Sequence, residues 1–283
     1  MNTITFNNGN SIPAVGFGVF QVPNDGPTYD AVALALKAGY RHIDTAAAYM
    51  NETDVGKAIR DSGIPREEIF VTSKLWIQDY GYDDAVKGIE DSLAKLDLGY
   101  IDLYLLHQPY GDVEGAWKAL VEYYKAGKLK NIGISNFSVN LLKQYWHMFD
   151  EVKPVVDQVN CFPYFQQKEL RAFLAPYDIK IECWSPLGQG RPELFKDPVL
   201  VALAEKYGKN VGQIILRWHY QEGFISLPKS VHENRIKGNI DIFDFALTDE
   251  EMEAIRALDT GVGHDPETPG LGERLLANYK IHD

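Results

Sequence analysis

Short apolar runs alternate along this chain with longer stretches whose apolar residues recur at helical spacing. The opening residues differ. Ile4 and Phe6 precede Asn8-Gly9, a pair that favours a tight turn, and Ile12 follows, so a hairpin is predicted. Strand-like runs are then predicted at 14–20, 42–45, 69–74, 101–107, 131–135, 155–160, 179–184 and 224–228. Helices are predicted between them. Residues 29–38 form one, closed by Gly39, and 51–62 a second. Ala85, Ile89, Leu93 and Leu96 mark one face of a third. Further helices are predicted at 113–126, 138–148, 167–176, 198–207, 211–221 and 233–240. Thr248 and Glu251 make a capping box that opens another over 249–257. From Gly261 the chain is rich in Gly and Pro without a period, and a loop is predicted.

The eight strands show little alternation, as strands covered on both faces do. No linker or compositional break divides the 283 residues. The pattern predicts one domain, residues 1–283, folded as a (β/α)8 TIM barrel with an N-terminal β-hairpin and extra helices. A doubly wound dinucleotide-binding sheet is the alternative. Gly16-Phe-Gly18 begins its glycine fingerprint, but Gln21 stands where the third glycine belongs, so that reading is rejected.

Net charge is −12, which repels nucleic acid and anionic membranes as partners. A site for a phosphorylated ligand must therefore build its own positive patch. Cys161 and Cys183 lie in apolar runs without metal-ligand spacing and read as buried free thiols; no metal is expected. The polar N-terminus has no apolar signal region, and no run reaches the length of a membrane span. A reducing, cytoplasmic setting is the expectation.

In a (β/α)8 barrel the chemistry collects at the C-terminal ends of the strands. Asp44, Lys74 and His107 end three successive predicted strands, and Tyr49 lies in the loop after the first of them. A free Tyr has a pKa of about 10 and is a poor acid at neutral pH. A neighbouring ammonium favours the phenolate, so Lys74 is expected to lower that value, with Asp44 holding Lys74 charged. His107 can donate a hydrogen bond to a carbonyl oxygen, and Tyr49 can protonate it. Taken singly each residue has a plainer role: Asp44-Thr45 as a helix cap, Tyr49 as a loop aromatic, Lys74 as a solvated strand end, His107 as a turn residue. Their convergence on one barrel mouth carries the argument.

The segment KSVHENR (229–235) gathers Lys229, Ser230 and Arg235, with Lys237 beyond. Ser230 and Glu233 match a capping box, with Ser230 as N-cap. A helix N-terminus also binds anions, and a 2′-phosphate on an adenosine ribose is the anion that would select NADPH over NADH. Trp184 is placed to stack on a flat ring, or to fill the core. Ser135, Asn136 and Gln158 suit a carboxamide, and Gly188-Gln189-Gly190 can approach a pyrophosphate or simply turn.

Six blocks carry a resemblance: GYRHIDTAAAY (39–49), FVTSKLW (70–76), DLYLLHQP (102–109), GISNF (133–137), ECWSPLGQG (182–190) and LPKSVHENRI (227–236). In this order they resemble the aldo-keto reductases over nearly the whole chain. Trp184 with the PLGQG loop is similar to the bacterial branch of 2,5-diketo-gluconate and methylglyoxal reductases. The resemblance implies a monomeric, NADPH-dependent enzyme reducing small aldehydes and ketones, with Asp44, Tyr49, Lys74 and His107 as catalytic tetrad. It also implies a cofactor site of Ser135, Asn136, Gln158, Trp184, Ser185, Leu187, Gly188, Gln189, Gly190, Lys229, Ser230, Val231, Arg235 and Asn239. Phe20, Ala47, Trp76 and Tyr110 would wall an open substrate pocket. The chain departs from the family pattern at Val19, Met50 and Gly238. Two other readings stand beside reduction. Lys74 could form a Schiff base, as in aldolase barrels, though a close Asp44 argues against it. A reductase-like barrel could instead sense nicotinamide redox state for a partner.

Overall fold

The structure is a computed structural model that describes residues 2–282. Thr3–Thr5 (β1) and Ser11–Pro13 (β2) pair antiparallel, with Ile4 opposite Ile12 and Gly9 at φ 87° in the turn. This hairpin closes one end of the molecule. Phe6 and Ile12 pack on Phe70, Leu103, Leu105, Val155, Val156 and Ile225 as a core cluster of their own. Burying each such side chain stabilises by about 1.5–3 kcal/mol, so the plug is held by apolar contact.

Eight parallel strands follow: Phe17–Gly18 (β3), His42–Asp44 (β4), Phe70–Leu75 (β5), Leu103–Leu106 (β6), Ile132–Ser135 (β7), Val156–Asn160 (β8), Lys180–Trp184 (β9) and Ile225–Leu227 (β10). Each is hydrogen-bonded to the next in chain order. A parallel bridge between Val15 and Ser226 brings the first segment back to the last, with the Gly16 N–H donating to the Ser226 carbonyl at 2.8 Å. The strands therefore form a nearly closed barrel, as predicted. The run at 14–20 keeps only two ladder residues, because its first half closes the barrel against β10. Gly16 is needed at that seam, since a Cβ there would lie 2.4 Å from Nδ1 of buried His42.

Helices cover the outside: Pro27–Lys37 (α1), Glu52–Asp61 (α2), Tyr82–Leu96 (α3), Val113–Lys125 (α4), Val139–Tyr145 (α5) and Lys168–Leu174 (α6). Pro192–Phe195 (α7), Pro198–Tyr207 (α8), Val211–Gln221 (α9), Glu233–Ile240 (α10), Asp249–Arg256 (α11) and Leu271–Asn278 (α12) complete the set. The capping box of Thr248 and Glu251 forms on α11. Cys161 and Cys183 are buried and free. Among the described residues, no helix is long and apolar enough to cross a membrane.

Three expectations change. The tail is not all loop, since α12 forms after Gly270 and Leu275 packs against the core. No capping side chain marks its start, since the residue before it is Gly270. The helix predicted over 138–148 ends at Tyr145 and continues as a tighter turn, Trp146–Phe149. Ser230 does not cap α10. The residue before that helix is His232, and Ser230 Oγ accepts the His232 N–H at 3.0 Å, making a local turn instead.

Candidate active site

At the C-terminal ends of β4, β5 and β6, Asp44, Lys74 and His107 converge. Lys74 is fully buried, and its ammonium lies 2.8 Å from both Asp44 oxygens and 2.8 Å from the Thr45 carbonyl. Tyr49 Oη is 3.4 Å from the same nitrogen. The three N–H donors of Lys74 thus have partners in one carboxylate, one carbonyl and one phenol. Asp44 caps no helix. Its second neighbour is Gln158, whose Nε2 donates to Oδ2 at 2.9 Å.

The loop that bears Tyr49 is fixed by a residue that the sequence reading did not single out. Asn51 is fully buried; its Oδ1 accepts the Thr45 hydroxyl at 2.7 Å. Its Nδ2 donates to the Val19 and Val22 carbonyls at 3.1 and 3.2 Å. One amide therefore ties the loops after β3 and β4 together beneath the phenol. The Tyr49 ring lies 5.0 Å from the Phe20 ring and 5.6 Å from the His107 ring, and Trp76 packs on His107 at 5.1 Å.

Burial moves the ionisable groups. It pulls Lys74 down, but Asp44, Tyr49 and Glu182 together carry it above its ordinary value, so the ammonium persists. Burial and the Lys74 charge hold His107 well below the usual imidazole range, leaving the ring neutral. Tyr49 runs against expectation. Burial raises the phenol and Asp44 adds to the rise, while Lys74 pulls it down without prevailing. Removing water from the phenolate outweighs one ammonium at 3.4 Å. The resting phenol therefore keeps its proton.

A cavity of about 1140 Å³ opens above these groups. Phe20, Trp76, Tyr49 and His107 line it, with Ser135, Asn136, Gln158, Trp184, Ser185, Leu187, Gln189, Gly190, Lys229, Arg235 and Asn239. Ala48 lines it where Ala47 was expected, because Ala47 turns into the core. Tyr110 stands behind the wall, where its hydroxyl donates to the Pro266 carbonyl at 2.6 Å. Gly188 is buried against Leu194 and Phe162 instead of facing the cavity. Ser230 is buried outside the lining, and Val231 points to solvent, 48% exposed. Asn210, Asn234, His264, Leu275 and Tyr279 line the cavity without having been singled out from the sequence, as does Gln21, which the sequence marked only as a missing glycine. Gln21, Asn136, Ser185 and Gln189 on this wall take left-handed backbone, at φ 57°, 64°, 50° and 58°. Such non-glycine strain collects at functional sites.

The pocket is less open than expected, because the tail forms part of its rim. The Trp76 indole N–H donates to the Tyr279 carbonyl at 2.7 Å, and Gln78 donates to the His282 carbonyl at 2.7 Å. Within the cavity the polar groups are ordered by one another. The Trp184 indole donates to Asn136 Oδ1 at 2.8 Å, Asn136 Nδ2 donates to the His107 main-chain carbonyl at 3.2 Å, and Ser135 Oγ donates to the Gln158 main-chain carbonyl at 2.7 Å. At the other end, Lys229 and Arg235 line the cavity without any ion pair among the described residues. Two unneutralised cations in a protein of net charge −12 are suited to an anionic ligand. At Gly238 an added Cβ would meet only Asn210 Nδ2, at 3.8 Å.

The family model described as the aldo/keto reductase family matches residues 14–260. The chain is 46% identical to a protein named glyoxal reductase from Bacillus subtilis, over 94% of this chain and 96% of that one. It is 43% identical to methylglyoxal reductase DkgA of Escherichia coli, over 94% and 98%. Among solved structures, an aldo/keto reductase from Brucella melitensis superposes with a TM-score of 0.87 at 47% identity, covering 91% of this chain and 99% of that one. A mutant of Gox0644 in complex with NADPH superposes with a TM-score of 0.87 at 39% identity, over 94% and 98%.

Proposed function

We propose that this chain, which belongs to the aldo/keto reductase family, reduces small aldehydes and ketones to alcohols with NADPH. The observation that carries this is the buried Asp44–Lys74–Tyr49 array beside a neutral His107, at the floor of a cavity with free cations at its far end. NADPH supplies the hydride when bound. The residues present fit it. Gln158 commits both side-chain amide N–H groups to Asp44 and Glu182, which leaves its side-chain carbonyl oxygen for a carboxamide donor. Trp184, held by Asn136, offers an indole face to a flat ring. Lys229 and Arg235 offer charge for a 2′-phosphate, with Asn239 beside them on the lining.

The protein's own contribution is proton chemistry. His107, neutral, donates an N–H to the carbonyl oxygen and orients it. Tyr49 holds its proton until negative charge builds on that oxygen, then gives it up. Lys74 stabilises the phenolate left behind, and Asp44 keeps Lys74 in place and charged. General acid catalysis of this kind contributes roughly 10²–10⁴-fold. The same geometry speaks against Schiff-base chemistry, because every N–H of Lys74 is engaged and the group is kept protonated.

The relatives named for glyoxal and methylglyoxal reduction make those dicarbonyls the first substrates to try. We read residues 1–283 as one barrel domain acting as a cytoplasmic monomer. The test is NADPH consumption with glyoxal, methylglyoxal and a panel of aldehydes and ketoacids, each compared with NADH. Turnover that favours NADPH is expected. Tight NADPH retention with negligible turnover on every carbonyl would favour the redox-sensing alternative.

A further inference from the structure

Glu182 lies mid-strand on β9 and is fully buried beneath the tetrad. A carboxyl group in a closed core costs several kcal/mol unless it is paired or neutral. No Lys or Arg among the described residues pairs with it, and its nearest basic group is His42 Nε2 at 3.7 Å. Oε2 accepts the Gln158 amide at 2.8 Å, and Oε1 has no hydrogen-bond partner among the described residues. The other Gln158 N–H goes to Asp44 at 2.9 Å. Two carboxyl groups, one on β4 and one on β9, therefore clamp one amide and fix which way it faces. Barrel packing does not call for this arrangement, since an apolar residue would fill the same space at lower cost.

We propose that Glu182 is a positioning residue for carbonyl reduction: as a neutral carboxylic acid it orients Gln158, and on ionising it disables Tyr49 as a proton donor. The proposal rests on the reductase reading above. The groups around Glu182 are Asp44 and His42 from β4, Lys74 from β5, Gln158 from β8, and Tyr49 in the loop beyond β4. Burial and the Lys74 charge hold His42 neutral, near 3. With Glu182 protonated, the only charges in the array are the Asp44 carboxylate and the Lys74 ammonium, which cancel. Burial raises Glu182 to about 8, and the Asp44 charge adds to the rise. Below that pH the array is neutral overall; above it the array gains one negative charge. That charge raises Tyr49 and Lys74 further. A weaker phenol acid then protonates the substrate oxygen more slowly.

The test compares pH profiles of kcat/KM for reduction by the wild type and by Glu182→Gln. Gln keeps the size and an acceptor for Gln158 but cannot titrate. The wild-type rate should fall as pH rises through about 8, and the variant should lose that limb. Its ratio of rate at about pH 9 to rate at about pH 7 should exceed the wild-type ratio by about fivefold or more, as expected for removal of one titration. A merely structural role would lower thermal stability and leave the shape of the profile alone. Should the variant not fold, an infrared pH titration of the wild type reads the same event as loss of a buried protonated-carboxyl band through the same range; no such band overturns the proposal. Superimposable profiles overturn the role of Glu182 alone. A wild type that reduces no carbonyl at any pH overturns the reductase reading, and this proposal with it.

Discussion

The indole N–H of Trp76 donates to the main-chain carbonyl of Tyr279 at 2.7 Å, across 203 residues of sequence. This bond joins the loop after β5 to the tail beyond α12 and helps to define the mouth of the cavity. Truncation after Pro269 removes α12 and that contact. It should raise KM for a small aldehyde by about tenfold, the effect of one lost hydrogen bond's worth of ordering, while kcat changes less. Steady-state kinetics on the truncated chain check this. An unchanged KM would show that the tail does not shape the pocket.

Tyr49→Phe keeps the ring and removes the hydroxyl, and with it the proton and one partner of Lys74. Turnover should fall by roughly 10²–10⁴-fold, with NADPH affinity, read by tryptophan fluorescence, close to that of the wild type. Retained turnover would mean that another group supplies the proton.

Lys74→Met leaves the Asp44 carboxylate buried without its cation. Breaking a buried pair from one side costs about 3–5 kcal/mol, so urea unfolding should show a large loss. The double change Asp44→Asn with Lys74→Met removes both charges and should cost less than the sum of the single changes. Strict additivity would argue that the pair is not coupled as its 2.8 Å geometry requires.

Arg235→Ala should lower affinity for NADPH more than for NADH. A charge-assisted hydrogen bond contributes about 1.5–3 kcal/mol, or about 10–100-fold in dissociation constant. Equal losses for both cofactors would place the 2′-phosphate elsewhere.

Acid should unfold the protein early, and His219 is one reason. It is fully buried and neither ring nitrogen has a hydrogen-bond partner among the described residues. Burial, helped by the Arg171 charge, lowers it from 6.5 to about 3. A depressed histidine is neutral when folded and takes up a proton when unfolded. Its contribution is therefore present above pH 6.5 and is lost as pH falls from there toward 3, at about 1.4 kcal/mol per pH unit. His219→Phe should flatten the fall in stability between about pH 6 and about pH 4 by that slope, measured by denaturant unfolding at several pH values. An identical slope in the variant would refute the assignment.

The sequence by itself carried the barrel and the identity of its central side chains. Strand runs and helical spacing are local patterns, and Asp44, Lys74 and His107 stand where apolar runs end. In a barrel, strand ends are also where side chains meet, so position along the chain translated into position in space. Only the tertiary structure decided the rest. Asn51 and Glu182 carry no local signal, since each acts through partners that are distant in sequence. The tail helix starts behind Gly270 without a capping side chain to announce it, and its place at the rim depends on Trp76 and Gln78. The direction of the Tyr49 shift also required the fold. The ammonium could be inferred from sequence, but the water excluded around the phenol could not, because desolvation is a property of everything packed nearby.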